Sequence, residues 1–193
     1  MRKITFLILA TALLLGGAVQ AATYTIDASH SSVGFKVKHM MVSKVRGTFD
    51  TFEGSVEFEE GAPADWSAGA VIQMASVNTS DEKRDAHLSG PDFFDAETYP
   101  TMTFVTTAVK PNGDDWTLVG DLTLHGVTKS VELELEYNGS VDDPWGNHRI
   151  GFSAEGVIDR GDFGITWNNA LDKGGVAVGN EVTVSLEIEA IRQ

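Results

Sequence analysis

One short run brings an acid, two hydroxyls and an imidazole together in the sequence. Asp27, Ser29, His30 and Ser31 all lie within residues 27–31. These are the groups of a Ser–His–Asp hydrolase, but such a triad is normally assembled from separated segments. We therefore interpret the run as a polar strand end whose hydroxyls bond to backbone groups, and we predict no catalytic residue in it.

Recognised catalytic and metal-binding motifs are missing from the rest of the chain. The sequence contains no G-x-S-x-G elbow, no G-x-x-x-x-G-K-[ST] loop and no H-E-x-x-H helix. None of its five His is spaced from a second ligand as in a known metal motif, and there is no Cys to form a disulfide or a thiolate site. We expect a protein that is not an enzyme and has no metal and no cofactor.

The overall charge restricts the partners that the protein can bind. Its 193 residues include 14 Lys and Arg against 28 Asp and Glu, for a net charge of −14. Nucleic acids are bound mainly through Lys and Arg contacts to phosphates, so we expect no nucleic-acid partner. The oligomeric state does not follow from composition.

One stretch departs from this acidic character. No acid lies between Asp27 and Asp50, and an apolar triplet, Met40-Met41-Val42, stands at the middle of the stretch. One interpretation is a hairpin with two core-facing Met. The other is a portal loop that contacts a membrane or an anionic headgroup. The candidate portal or headgroup residues are His39, Met40, Met41, Lys44 and Arg46.

Hydrophobic alternation predicts the elements that position these groups. Apolar and polar residues alternate through Ser32–His39, Val131–Tyr137 and Glu181–Ala190, which is typical of strands with one buried face. Turn residues such as Asn138-Gly139 separate the strands. The segment 80–94 breaks the pattern and predicts a short helix with Ser80 as its N-cap and Gly90-Pro91 at its end. The sequence therefore predicts an all-β sandwich or barrel of about eight or more antiparallel strands, in one domain.

The N-terminus has the features of an export signal. Arg2 and Lys3 precede an apolar run over 4–19, and Val19-Gln20-Ala21 fits a small-residue cleavage site. The apolar run is short for a membrane span of about 20 residues. We therefore expect a cleaved signal peptide over 1–21, a mature domain over 22–193 and a periplasmic location.

A series of short motifs then carries a family resemblance over roughly 23–190. In chain order they are Tyr24-Thr25-Ile26-Asp27 with His30-Ser31, Val33-x-Phe35-x-Val37-x-His39, Arg46-Gly47-x-Phe49, Phe52-x-Gly54, Ser80-x-x-x-Arg84-Asp85-x-His87-Leu88, Asp92-Phe93-Phe94-Asp95, Tyr99-Pro100-x-x-x-Phe104, Gly120-x-Leu122-Thr123-Leu124-His125-Gly126-Val127-Thr128-Lys129 and Arg160-x-x-Phe163-Gly164. Together they resemble the YceI-like family of periplasmic polyisoprenoid-binding proteins. The resemblance implies an antiparallel, lipocalin-like β-barrel whose apolar pore holds an isoprenoid chain, with no agreed enzymatic activity.

The apolar strand faces supply candidate pore-lining residues for such a barrel. About eight strands enclose room for side chains or for one small ligand. The candidates are Val33, Phe35, Val37, Phe49, Phe104, Leu122, Leu124, Leu133, Leu135, Phe152, Val184 and Leu186. Many of them also have to fill the core.

The charge favours a weakly charged ligand head. After loss of the signal peptide the protein would repel a diphosphate at long range, whereas a neutral quinone head would meet no such repulsion. We expect an isoprenoid quinone or polyprenyl compound, held for transport or storage, and a transient membrane contact. Three alternatives stay open: a lipid-processing enzyme with a pocket His or Asp, a quinone-delivering partner of a membrane cytochrome, and an outer-membrane barrel.

Overall fold

Antiparallel strands make up most of the chain in the computed structural model, which describes residues 21–172 and 174–193. The predicted signal peptide lies outside the described residues, apart from Ala21. The strands are β1 (Ala22–Ile26), β2 (Ser32–His39), β3 (Ser43–Phe49), β4 (Phe52–Phe58), β5 (Ser67–Gln73), β6 (Val77–Asn78), β7 (Thr101–Asn112), β8 (Asp115–Leu124), β9 (Val127–Asp142), β10 (His148–Asp159) and β11 (Val178–Arg192). The helix α1 spans Glu82–Ser89, and no helix of the described chain is long and apolar enough to cross a membrane.

Eight of these strands close into an antiparallel barrel, which confirms the predicted fold class. The ring runs β1-β4-β5-β7-β8-β9-β10-β11 and returns to β1. Strand β11 is long enough to pair with β10 along one edge and with both β1 and β2 along the other. Closure of the ring leaves these strands without an exposed edge.

Three further strands extend the wall on one side of the ring. Strand β2 continues the course of β1 after the run 27–31, pairs with β3, and β3 pairs with β6. Within the described residues β6 has no second neighbour. Phe93 and Phe94, which follow α1, pack beside Val77 of β6 and Leu124 of β8 instead. At the end where β1 joins β4 and β11, strand pairing closes the barrel wall completely. At the other end, beside β6, side chains of the segment 79–100 fill the gap in the wall.

The helix ends where the sequence predicts, but it begins one residue later and at a different cap. Asp81, not Ser80, is the N-cap, because its carboxylate accepts hydrogen bonds from the backbone N–H of Lys83 and Arg84. Ser80 takes a left-handed backbone with φ 62°. The helix ends before Gly90, whose N–H donates to the carbonyl of His87.

One predicted turn is also wrong. Asn138 and Gly139 lie inside β9, where the register with β10 shifts opposite Gly151. Gly139 has φ 114° there, which a residue with a side chain adopts only with strain. The pair forms a β-bulge, and the chain reverses later, between Asp142 and His148.

Candidate functional site

An apolar cavity of about 220 Å³ occupies the barrel interior. Its walls are the inward faces of the strands, together with Leu88, Phe93 and Phe94 from the segment after β6. The buried side chains around it form two clusters, one near Trp66 and Phe152 and one near Phe163 and Phe49. A cavity lined in this way accepts an elongated apolar molecule and offers little to a polar one.

All twelve candidate pore residues line this cavity. Strand β2 contributes Val33, Phe35 and Val37, and the other strands contribute Phe49, Phe104, Leu122, Leu124, Leu133, Leu135, Phe152, Val184 and Leu186. Alternation places them there because inward residues recur at every second position of a strand. Their contact with a ligand stays a prediction.

Several cavity residues have no alternating pattern around them and were missed. Phe93 and Phe94 follow the helix, and Trp66 follows a short 3-10 turn at Pro63–Asp65. The Trp66 indole N–H donates to the carbonyl of Glu59 at 2.7 Å, so its polar atom is satisfied while its ring faces the interior. The paired aromatics of the Asp92-Phe93-Phe94-Asp95 motif were the available signal.

Arg160 is the only charged residue that lines the cavity in the described part of the chain. Its side chain is enclosed, with 5% of the residue exposed. Nε donates to the carbonyl of Gly179 at 2.9 Å, and Nη1 donates to the carbonyl of Ile165 at 2.8 Å. Burial lowers the pKa of Arg160, and the Asp159 carboxylate opposes that change. Sequence reasoning named Arg160 in a motif but gave it no role.

A second polar group surrounds Arg149, on the outside of the barrel. Its guanidinium forms ion pairs with Asp27 at 2.9 Å, Asp143 at 2.7 Å and Glu189 at 2.5 Å. Hydrogen bonds from Ser29, Arg149 and His30 lower the pKa of Asp27. Burial tends to raise the pKa of Asp143, but hydrogen bonds from Arg149 and Asn147 outweigh it and lower that pKa.

The same group contains the run that resembled a hydrolase site. His30 Nδ1 lies 2.9 Å from Asp27 Oδ2 and 3.0 Å from Ser29 Oγ, and Ser29 Oγ donates to Asp27 Oδ1 at 2.6 Å. A Ser–His–Asp relay uses both ring nitrogens, one for the acid and one for the hydroxyl. Here one nitrogen faces both groups, so these three residues do not form that relay.

Asp27, His30 and Glu189 also place one ligand atom each within 4.8 Å of one another. The Arg149 guanidinium already bonds to Asp27 and Glu189. A cation at this position would displace Arg149, so the cluster is better explained as an ion-pair network.

The candidate portal residues form the β2–β3 hairpin and lie outside the cavity wall. Met40 and Met41 are 43% and 45% exposed, so the interpretation with two core-facing Met is wrong. His39 and Lys44 flank the turn, and Arg46 lies on the outer face of β3 in a shallow polar groove. Their headgroup or membrane role stays a prediction.

A closed antiparallel barrel of eight strands around an apolar cavity is the architecture of lipocalin-like proteins, which have room for one small ligand. The YceI-like domain model matches residues 24–190, and this protein belongs to the YceI-like family. Protein YceI of Escherichia coli strain UMN026 is 40% identical over 186 residues, which cover 95% of this chain and 94% of the relative.

Solved structures agree with the barrel. Burkholderia cenocepacia BcnA superposes with a TM-score of 0.75 at 27% identity, covering 86% of this chain and 99% of its own. A polyisoprenoid-binding domain from Saccharophagus degradans superposes with a TM-score of 0.65 at 20% identity, covering 90% of this chain and 100% of its own. The second likeness is at the level of fold.

Proposed function

We propose that this protein binds a long-chain isoprenoid lipid in the barrel cavity and shields it during transport or storage in the periplasm. The observation that carries the proposal is the cavity, whose lining in the described residues is apolar except for Ser67 and Arg160. The polyisoprenoid-binding description of the Saccharophagus degradans domain supports the choice of ligand class. The apolar N-terminal run of the sequence supports export.

Burial of the lipid chain supplies enough free energy for useful binding. About twenty buried methylene equivalents contribute roughly 16 kcal/mol at about 0.8 kcal/mol each. Association and ordering cost about 4–15 kcal/mol. The difference, about 1–12 kcal/mol, favours binding even without a polar anchor.

The polar part of the cavity favours a weakly charged head such as a quinone. Arg160 is the one cation in the described lining, and two backbone carbonyls already bind it. A diphosphate would need several cations to replace its hydration, while a quinone carbonyl needs one donor. Tight binding of a prenyl diphosphate that weakens steeply with salt would contradict this preference.

The protein acts as a binding protein and not as a catalyst in this proposal. Asp27 and Ser29 both face the same ring nitrogen of His30. None of these three residues lines the cavity. Turnover of a lipid ester that is lost in His30→Ala would favour the enzyme alternative instead.

The first test is native mass spectrometry of protein purified from the periplasm without detergent, followed by lipid extraction. Val131→Trp fills the cavity from β9, where Val131 lines it. Glu134→Trp is the matched control, because Glu134 lies on the same strand and is exposed. We expect wild type and Glu134→Trp to carry one bound species, which lipid extraction identifies as an isoprenoid.

We expect Val131→Trp to stay folded and to carry at least tenfold less of that species. Equal lipid in all three proteins would contradict binding in the cavity. Heterogeneous fatty acids in the wild type would contradict the isoprenoid ligand and leave the fold unaffected.

A further inference from the structure

The β2–β3 hairpin ends in an exposed apolar tip. Met40, Met41 and Val42 are 43%, 45% and 87% exposed. The tip is closed by a hydrogen bond from the Val42 N–H to the carbonyl of His39 at 3.1 Å. Val42 and nearly half of each Met remain in water, and this exposed part contributes little to the stability of the folded monomer.

The backbone of this turn is unfavourable for the residues it holds. Met40 has φ 50° and Met41 has φ 62°, and two successive left-handed residues favour Asn-Gly. Met at both positions costs stability relative to that pair. The two side chains therefore contribute something other than the stability of the turn.

Four cations stand on the outer face of the same hairpin. Lys36 lies directly opposite Arg46, and Lys38 lies directly opposite Lys44. Like charges in opposed positions destabilise a sheet. Among the residues that the structure describes, none of the four has a carboxylate within ion-pairing distance. This basic face contrasts with the net charge of −14 for the whole chain.

We propose that the β2–β3 hairpin docks the protein on the surface of an anionic lipid bilayer, with Met40, Met41 and Val42 entering the headgroup region and Lys36, Lys38, Lys44 and Arg46 facing the anionic lipids. An apolar tip with flanking cations matches such a surface in both polarity and charge. The acidic remainder of the protein is repelled by the same surface, which orients the molecule with its hairpin toward the bilayer.

The docked end of the barrel is also an end of the cavity. Val37 of β2 and Val178 and Val182 of β11 line the cavity close to the hairpin tip. Gly175 lies against the Met41 side chain. Docking would therefore place the cavity next to the bilayer from which a lipid is taken. This inference deepens the proposed function by naming its membrane partner, yet its test does not depend on the ligand.

The opposite end of the barrel supplies an internal comparison. Trp145, in the turn between β9 and β10, is 81% exposed. Asp142 and Asp143 lie three and two residues before it, and in the described residues Asp143 is already paired with Arg149. Exposed apolar surface is thus present at both ends, but in the described residues the hairpin end sets it beside four cations that have no carboxylate partner.

The test is co-sedimentation with vesicles of phosphatidylcholine alone and of phosphatidylcholine mixed with phosphatidylglycerol. We expect wild type to bind the mixed vesicles, to bind them less as salt rises, and to bind phosphatidylcholine alone weakly. Met40→Asn combined with Met41→Gly should lower binding at least tenfold while raising resistance to urea. Lys38→Ser combined with Lys44→Ser should lower it roughly 25-fold, at about fivefold per cation.

The controls are Trp145→Asn and Lys110→Gln, which change an exposed apolar side chain and an exposed cation elsewhere. Both should bind the mixed vesicles like wild type. Wild-type binding by the hairpin variants, or equal binding to both kinds of vesicle, would overturn the proposal. The absence of all vesicle binding would also overturn it and would favour a protein partner for the tip.

Native mass spectrometry of the same hairpin variants separates this inference from the proposed function. Hairpin variants that lose vesicle binding and retain bound lipid support docking. A wild type that docks normally but carries no isoprenoid contradicts the proposed ligand and leaves the docking surface standing.

Discussion

At Gly120 of β8, the ring of Phe104 lies where a side chain would otherwise be. A Cβ at this position would collide with that ring and approach the carbonyl of Val105 to 2.8 Å. The ring of Phe104 on β7 occupies the space beside the glycine and lines the cavity. This glycine therefore makes room for an aromatic side chain of the neighbouring strand.

We expect Gly120→Ala to lower the free energy of unfolding by about 1–3 kcal/mol, because overpacking forces the ring or the backbone to move. Gly69→Ala is the matched control, since nothing lies within 4 Å of its added Cβ. That control should be neutral or stabilising by up to about 1 kcal/mol. Urea unfolding of both variants measures the difference, and equal stabilities would contradict the packing argument.

The candidate site was predictable from residues where alternation is regular. Val33, Leu133 and Leu186 stand in long alternating runs, so their faces follow from the period of two. Arg160 was not predictable in this way, because its burial depends on carbonyl groups of Gly179 and Ile165 that only the folded chain brings to it. A single Arg at the start of a four-residue 3-10 helix gives no periodic pattern that would reveal that environment.

At the scale of elements, the start of α1 depends on Asp81. Its carboxylate accepts two backbone N–H groups of the first turn, which have no partner within the helix. We expect Asp81→Ala to lower the free energy of unfolding by about 1 kcal/mol.

Ser80→Gly is the comparison for that prediction. Ser80 has a left-handed backbone, which glycine adopts without a steric penalty, so this variant should be as stable as wild type or more stable. Thermal unfolding followed by circular dichroism checks both. A larger loss in Ser80→Gly than in Asp81→Ala would restore Ser80 as the cap.

The elements themselves were predictable to different degrees. Strands β9 and β11 contain 16 and 15 residues, and their alternation is long enough to exclude a helix. Strand β6 has two residues, too few to show any period. The bulge at Gly139 was predicted as a turn, because Asn-Gly is common in hairpin turns and in β-bulges alike. Only the pairing of β9 with β10 distinguishes the bulge from the turn.

At the scale of the whole molecule, Arg149 joins parts of the chain that are distant in sequence. It binds Asp27 before β2, Asp143 after β9 and Glu189 of β11. The pKa of Asp27 and that of Asp143 are lowered in the folded state. A depressed carboxyl pKa adds stability that is present above the unfolded pKa, near 4, and is lost as pH falls through the folded pKa.

We therefore expect the stability advantage of wild type over Arg149→Met to be largest near neutral pH and to shrink as the pH drops below about 4. Urea midpoints measured at several pH values test this. Arg192→Met serves as the control, because Arg192 has no ion pair among the described residues. An advantage that stays constant down to pH 2 would contradict the role given to the two carboxyls.

The wall beside β6 has a consequence for how relatives of this protein diverge. The eight-strand ring keeps its hydrogen bonds without any contribution from the segment 79–100, so insertions and deletions there leave the ring intact. Because Leu88, Phe93 and Phe94 of this segment line the cavity, changes in its length alter the space available to a guest molecule. A change in the length of the segment 79–100 can therefore alter the size of the ligand that fits, while the eight-strand ring stays the same.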